Sequence, residues 1–198
     1  MTPDQAHRIA AQFAFLTEAD RLKSVLRATK TYDGARFENS GEHSWHVALF
    51  ALVMAEHATR PVQIDRVLKM MLIHDLVEID AGDTPIHSQA AQDTTAQDAA
   101  EIAAADRIFG LLPPDQAHEF RALWDEFEAA ETDDAIFAKS IDRVQPVLAN
   151  LATGGQSWVD YNVTRAQLED RVGHKVSRGA PALWLALRAK IDHWFDAR

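Results

Sequence analysis

Apolar residues recur along this chain at intervals of three and four, the spacing of one helical face, whereas the alternation typical of strands is rare. Capping residues and the breakers Gly and Pro divide this pattern into about eight helices. The main predicted helices begin at Thr2 and Thr17 and then cover approximately residues 40–60, 64–79, 90–109, 114–130, 133–152 and 181–195, with a short one capped by Thr164. Residues 31–39 and 80–89 are predicted loops. We therefore expect an all-α fold, a single-domain irregular helical bundle over residues 1–198.

Local signals mark where individual helices begin and which of them are central. Thr2, Pro3 and Gln5 form the pattern of a capping box at the start of the first helix. Ser40 is the predicted N-cap of the helix that follows the first loop. The helix over 64–79 is apolar around much of its girth, which predicts a position in the middle of the bundle.

Composition and charge narrow the classes of partner. The chain has 198 residues, 47% of them apolar, and 20 Lys and Arg against 30 Asp and Glu, a net charge of −10. Such acidity disfavours nucleic acid polymers and anionic membranes but permits a small anionic ligand in a local basic pocket. Cysteine is absent, which excludes disulfides and thiol nucleophiles. No secretion signal or apolar run of roughly 20 residues is present, so we expect a cytoplasmic protein without a membrane partner.

Charged and imidazole side chains stand out where they interrupt apolar helices. His43, His46 and His74 lie inside predicted core helices, and Asp75 follows His74 within a run of apolar residues. Asp142 interrupts another largely apolar helix. A buried carboxylate costs several kcal/mol unless it is paired or bound to a cation. These positions therefore predict either buried ion pairs or a metal site.

Imidazoles and carboxylates together suit a divalent cation. Mn, Co, Fe, Ni, Zn and Mg all accept such ligands, and the absence of thiolates argues against a structural zinc site. Two structural alternatives stay open. His46 lies one turn from His43 and could simply orient it, and Asp75 could pair with Arg143 or Lys69. The C-terminal tryptophans (Trp158, Trp184 and Trp194) fit core packing or dimer contacts better than a platform for a base.

Three motifs together resemble the H…HD…D pattern of the HD-domain phosphohydrolases. They are His43 at the start of a helix, the His74-Asp75 pair about thirty residues later, and the helical Asp142. The flanking residues 38–44 and 74–83 resemble the branch of bacterial 5′-deoxynucleotidases and their eukaryotic relatives. The resemblance implies an HD-domain core over about 18–152, with C-terminal helices over 160–198 packed on it, and one divalent metal ion.

The resemblance also implies roles for individual residues. The residues matching the family's metal ligands are His43, His74, Asp75 and Asp142. Glu78 and Asp83 match residues that serve catalysis, without a decision as to which is the general acid or base. Arg27 matches the phosphate-binding Arg, with Arg36 as a competing candidate, and the Trp that follows this Arg in the family is absent here.

The function expected from these motifs is metal-dependent hydrolysis of (deoxy)nucleoside 5′-monophosphates to nucleoside and phosphate. An HD hydrolase of another nucleotide (a pyrophosphate, alarmone or triphosphate) is the first alternative, but it would need more cations than Arg27, Lys30 and Arg36 supply. A non-catalytic metal-binding regulatory module is the second, and a two-iron oxygenase the third. The apolar C-terminal helices permit a homodimer.

Overall fold

The computed structural model describes residues 1–88 and 95–198 and is predominantly helical, as the periodicity predicts. The helices are α1 (Pro3–Ala19), α2 (Ser40–Met54), α3 (Ile64–Ile73), α4 (Glu78–Ala81), α5 (Thr95–Phe109), α6 (Pro114–Ala129), α7 (Asp133–Ala152), α8 (Gln156–Asp160), α9 (Arg165–Leu168), α10 (His174–Gly179) and α11 (Pro181–Asp196). Short 3₁₀ turns cover Asp20–Ser24, Ala55–His57 and His74–Val77, and a π turn covers Glu169–Gly173. The predicted start of α5 near Ala90 lies outside the described residues.

The expectation that the chain has no strand is wrong at one place. Strands β1 (Leu26–Lys30) and β2 (Phe37–Asn39) pair in antiparallel register, with Leu26 opposite Asn39 and Lys30 opposite Phe37. The side chains that this hairpin buries are polar, namely Thr29 and Glu38, with Arg27 nearly buried beside them. Because the buried positions are not apolar, the hairpin lacks the alternation by which strands are recognised.

Helix starts follow local capping chemistry. Thr2 caps α1 and Gln5 completes the capping box, as predicted. The N-cap of α2 is Asn39 rather than Ser40, because its side chain accepts a hydrogen bond from the amide of Glu42, whose carboxylate accepts one from the amide of Asn39 in return. The difference of one residue leaves the Ser40 hydroxyl free to face the interior.

The predicted helix over 64–79 changes its geometry halfway. The α-helix ends at Ile73, the next turn is 3₁₀ over His74–Val77, and α4 follows until Gly82, whose φ of 74° ends the helix. A 3₁₀ turn brings residues three apart onto one line, so Asp75 and Glu78 lie on the same side of the chain. The change from α-helix to 3₁₀ turn therefore places the carboxylates of Asp75 and Glu78 on one side of this segment.

Helix α7 is central and packs against α2, α3, α6, α10 and α11. Its bounds match the prediction, whereas α8 was not predicted. Two apolar clusters meet along it: Ile141 belongs to a cluster shared with the N-terminal helices, and Val144 and Val147 belong to one shared with the C-terminal helices. Asp142 stands where α7 passes from one cluster to the other. That residues 1–198 form one domain stays a prediction.

Within the described residues, none of the helices combines the length and the hydropathy that a membrane span requires.

Candidate active site

Three buried side chains from distant parts of the chain meet at the centre of the fold. His43 comes from α2, His74 from the 3₁₀ turn after α3, and Asp142 from α7, and one ligand atom of each lies within 4.8 Å of the others. Asp142 Oδ1 is 3.0 Å from Nε2 of His43 and 3.6 Å from Nε2 of His74. His43 is fully inaccessible to solvent. Three of the four residues predicted to bind metal therefore converge.

Hydrogen bonds fix the tautomer of both imidazoles. Nδ1 of His74 donates to the carbonyl of Met71 at 2.9 Å, and Nδ1 of His43 donates to Oε1 of Gln145 at 3.1 Å. Both rings thus turn Nε2 toward Asp142, the arrangement typical of metal-binding histidines. Nε2 of His74 is buried and, within the described residues, forms no hydrogen bond of acceptable geometry, although Oδ1 of Asp75 lies 2.9 Å away. An unpaired buried nitrogen at this point is a ready ligand for a cation.

Asp75, the fourth predicted ligand, borders this group. Its Oδ1 lies 2.9 Å from Nε2 of His74, and its Oδ2 accepts a hydrogen bond from Arg27 at 3.0 Å. Although burial opposes ionisation, His74 and Arg27 lower the pKa of Asp75 to about 2. Its partner is thus neither Arg143 nor Lys69, the two structural alternatives considered from the sequence.

The electrostatic field of the cluster favours a cation. Burial alone would lower the pKa of His74, but the carboxylates of Asp75 and Asp142 overcome it and raise this pKa to about 10. A divalent ion would replace that proton, as metal binding to imidazole requires. Nitrogen and oxygen ligands without thiolate suit Mn, Co, Fe, Ni, Zn or Mg. The residues present therefore fit one divalent metal ion.

Polar side chains behind the ligands hold them in place, and of these only His46 was predicted from the sequence. Gln145, fully buried on α7, accepts from His43 and donates to Oε1 of Glu38 at 2.9 Å. His46 lies 3.3 Å from the same amide nitrogen, so it acts on His43 through Gln145. The sequence did contain a signal for this role, because Gln145 is an uncharged polar residue one turn from Asp142 in an apolar helix.

Arg27 extends from β1 into a group of acids. Its Nη1 lies 3.0 Å from Asp75, 3.6 Å from Asp83 and 3.8 Å from Glu78. Burial disfavours its charge, but these carboxylates more than compensate and raise the pKa of Arg27. The competing candidate, Arg36, instead forms an exposed ion pair with Glu42 at 2.6 Å, so the structure does not bring it to the cluster.

Glu78 and Asp83 lie beside the metal cluster rather than within it. Ser40 Oγ donates to Oε2 of Glu78 at 2.5 Å. Burial, together with the negative charge of Asp75, raises the pKa of Glu78 well above its usual value. Burial likewise raises the pKa of Asp83, which follows the turn at Gly82. Both carboxyl groups are thus disposed to hold a proton next to a cation site.

A cavity of about 190 Å³ extends from these groups toward the C-terminal helices. Its polar end is lined by Arg27, His74, Asp75, Glu78, Asp83 and Asp142, and its far wall by Val147, Asn150, Trp158, Tyr161, Leu168 and Val172. Trp158 is buried and packs edge-on against Trp194, as expected of a core residue, yet it also faces the cavity. His87 borders the cavity too, and burial together with Arg171 lowers its pKa to about 4.

More cations lie near this cavity than the three predicted from the sequence, Arg27, Lys30 and Arg36. Lys139 and Arg143 line it and also line an adjoining cleft of about 650 Å³, which Arg171, Lys175 and Arg178 border as well. We call these five residues the basic cleft. The expectation that only Arg27, Lys30 and Arg36 supply positive charge near the site is wrong, because helices distant in sequence add others.

Comparison with known protein families identifies a domain family that contains these site residues. The family model described as HD domain matches residues 19–184, a range that includes the metal cluster, Arg27 and the basic cleft. The chain belongs to the HD-domain family.

Proteins similar to this chain include a predicted phosphohydrolase of known structure and several 5′-deoxynucleotidases. A crystal structure of a predicted metal-dependent phosphohydrolase from Magnetospirillum magnetotacticum MS-1 is 48% identical, covers 96% of both chains and superposes with a TM-score of 0.88. The 5′-deoxynucleotidase HDDC2 of Homo sapiens is 28% identical over 72% of this chain and 68% of its own length. A 5′-deoxynucleotidase of Yersinia pseudotuberculosis is 26% identical over 82% of this chain and 85% of its own.

Proposed function

We propose that this HD-domain protein is a metal-dependent phosphohydrolase that converts (deoxy)nucleoside 5′-monophosphates to nucleoside and phosphate. The observation that carries the proposal is the convergence of His43, His74 and Asp142, with Asp75 beside them, in front of a cavity that contains Arg27. The similarity to 5′-deoxynucleotidases of human and bacterial origin supports the substrate class.

Four residues would hold the metal ion, namely His43, His74, Asp75 and Asp142. When bound, a divalent ion activates water and neutralises charge on the phosphoryl oxygens. Gln145 keeps the proton of His43 on Nδ1, and the carbonyl of Met71 does the same for His74, so both Nε2 atoms stay available.

Arg27 would bind the phosphate group of the substrate. Its guanidinium has two parallel N–H donors, which match two phosphate oxygens. The acids that surround Arg27 hold it at the polar end of the cavity, with its side chain only 12% exposed. Low exposure strengthens its attraction to phosphate, because little water screens the charges.

Glu78 or Asp83 would transfer the proton that the reaction requires. Departure of the nucleoside leaves an alkoxide at the 5′ oxygen, which must be protonated. Burial raises the pKa of both carboxyl groups, so either can carry that proton. Ser40 fixes the carboxyl group of Glu78 through its hydrogen bond, which favours Glu78 as the better-positioned acid.

The nucleoside would occupy the far part of the cavity. Trp158, Tyr161 and Val147 offer apolar and aromatic surface to a base. The polar atoms of Asn150 are already bonded to Ser157 and to the Pro146 carbonyl, so they stiffen this wall.

A hydrolase of a more highly charged nucleotide is a second candidate, because Lys139 and Arg143 add positive charge beside Asp142. Homodimerisation and a cytoplasmic location stay predictions. Light scattering tests the first, and cell fractionation the second.

The deciding experiment measures phosphate release from ribo- and deoxyribonucleoside 5′-monophosphates by chelator-treated protein to which Mn, Co, Mg or Zn is added. We expect metal-dependent release from at least one deoxyribonucleoside monophosphate. Release from a triphosphate or alarmone alone would support the second candidate. Absence of turnover with every metal and substrate would contradict both and favour a regulatory metal-binding module.

A further inference from the structure

The basic cleft concentrates positive charge in an acidic protein. Five cations border it, against four acids, Asp98, Glu101, Glu128 and Asp170, whereas the whole chain has a net charge of −10. Two of the five cations have acidic partners: Lys139 Nζ lies 2.8 Å from Glu128, and Arg143 Nε lies 3.7 Å from Asp142. Arg171, Lys175 and Arg178 form no ion pair within the described ranges 1–88 and 95–198.

The cations oppose one another across two packed helical segments. Lys139 and Arg143 are one turn apart on α7, and Arg171 and Lys175 are about one turn apart where the π turn leads into α10, which packs on α7. Like charges at this spacing destabilise a helix. The repulsion acts on Lys175, where Arg143, followed by partial burial and Lys139, lowers the pKa to about 8. A bound anion would relieve this repulsion.

The cleft adjoins the metal centre. Arg143 directly follows Asp142, and both Arg143 and Lys139 border the cavity of the metal centre as well as the cleft. Nε of Arg143 is buried without a hydrogen bond and lies 3.7 Å from Asp142 Oδ2. Arg171 donates to the carbonyl of Ile86, which holds the loop between the two cavities against the π turn.

We propose that the basic cleft is a second phosphate-binding site next to the metal centre. Three guanidinium groups and two ammonium groups bordering one space suit a phosphate dianion, because arginine matches its oxygens in pairs and lysine adds point charge. The phosphate is either a second phosphate of the nucleotide whose 5′-phosphate is hydrolysed or a free phosphate ion. The idea that this phosphate belongs to the substrate rests on the proposed nucleotidase function. The existence of the phosphate site does not depend on that function.

Binding of inorganic phosphate to chelator-treated protein, measured by calorimetry, tests the site. Without metal, the carboxylates of the metal centre repel phosphate, so binding reports on the cleft. Lys175 lies at the surface of α10 with its side chain partly covered, so Lys175→Glu alters the charge of the cleft without disturbing the core. We expect this change to weaken phosphate binding about tenfold or more. Lys175→Met, which only removes the charge, should show a smaller loss in the same direction.

The matched control is Lys190→Glu, an identical change at an exposed lysine of α11 away from the cleft. We expect it to bind phosphate as the unaltered protein does. Equal phosphate affinity in the Lys175→Glu and Lys190→Glu proteins would overturn the proposal, as would absence of phosphate binding by the unaltered protein at millimolar concentrations.

Kinetics distinguish the two sources of phosphate. With metal-loaded enzyme, kcat/KM is compared for a nucleoside 5′-monophosphate and the corresponding 3′,5′-bisphosphate. A preference for the bisphosphate that Lys175→Glu removes assigns the second phosphate to the substrate. Equal values, with phosphate binding still dependent on Lys175, assign the site to a free phosphate ion. Failure to hydrolyse any phosphomonoester would refute the nucleotidase function, while the calorimetry would still decide the site.

Discussion

The metal centre and the basic cleft meet on α7 but are built in opposite ways. In the metal centre the charged groups are buried, and each has a fixed partner, such as His43 for Asp142 or Arg27 for Asp75. In the basic cleft Lys175 lies at the surface, partly covered, and the largest influence on its pKa is the like charge of Arg143. Burial with pairing gives a rigid site for a cation, whereas like charges around a cleft open to solvent give a site for an anion.

This contrast explains why only the metal centre, and not the basic cleft, could be predicted from the sequence. A carboxylate such as Asp142 inside an apolar helix is costly, so its presence indicates a function. A lysine or arginine on a helix surface is ordinary, so Lys139, Arg143 and Lys175 carry no signal until the fold places them together.

The largest expected effect is that of Asp142→Asn, which should disable the metal centre and leave the basic cleft intact. Asp142→Asn should abolish metal retention and reduce hydrolysis to background, because Asp142 is the carboxylate within reach of both imidazoles. Phosphate binding by the basic cleft should persist. Elemental analysis, a phosphate-release assay and calorimetry measure the three quantities. Asp4→Asn, at the exposed start of α1, is the control. Full metal content in the Asp142→Asn protein would refute the assignment of this ligand.

Glu78→Gln should separate chemistry from metal binding. We expect the rate to fall about 10²- to 10⁴-fold, the usual contribution of a positioned acid or base, while the metal is retained. Rate and metal content are measured on the same preparation, with Glu131→Gln as the exposed control. An unchanged rate would remove Glu78 from the mechanism and leave Asp83 as the proton donor.

Gln145→Leu should weaken the metal centre without removing a ligand. The change leaves Nδ1 of His43 without its acceptor, so the ring is no longer held with Nε2 toward Asp142. We expect the dissociation constant of the metal to rise about 10- to 100-fold, as for other partners of metal-binding histidines. Competition with a chelator measures this constant. If only the thermal stability changed and metal affinity did not, Gln145 would have a structural role alone.

The smallest effect concerns the two arginines proposed for phosphate. Arg27→Lys keeps the charge but removes the paired donors, so we expect kcat/KM to fall about tenfold. Arg36→Lys should leave it unchanged, because Arg36 pairs with Glu42 at the surface. Steady-state kinetics on one nucleoside monophosphate compare the two proteins. A larger loss for Arg36→Lys would reverse their assignment.

Sequence reasoning located most of the helices because their apolar faces repeat with the helical period; α7 is predicted to the residue. It missed the hairpin formed by β1 and β2, where the buried positions Thr29 and Glu38 are polar. It also took residues 64–79 as one helix, since the turn to 3₁₀ geometry at His74 depends on packing and not on local preference.

The residues of the chain are sufficient to predict the helical class and either a metal site or buried ion pairs, because a His or Asp in an apolar helix must be compensated and few groups can do so. The set of four ligands follows from the resemblance to the HD-domain phosphohydrolases. The fold, by contrast, places Arg27 at the metal centre and Arg36 at the surface, sets Gln145 against His43, and brings five cations to one side of the metal centre. The physical reason is that burial penalises a single residue wherever it occurs, whereas proximity is a property of pairs that the fold alone sets.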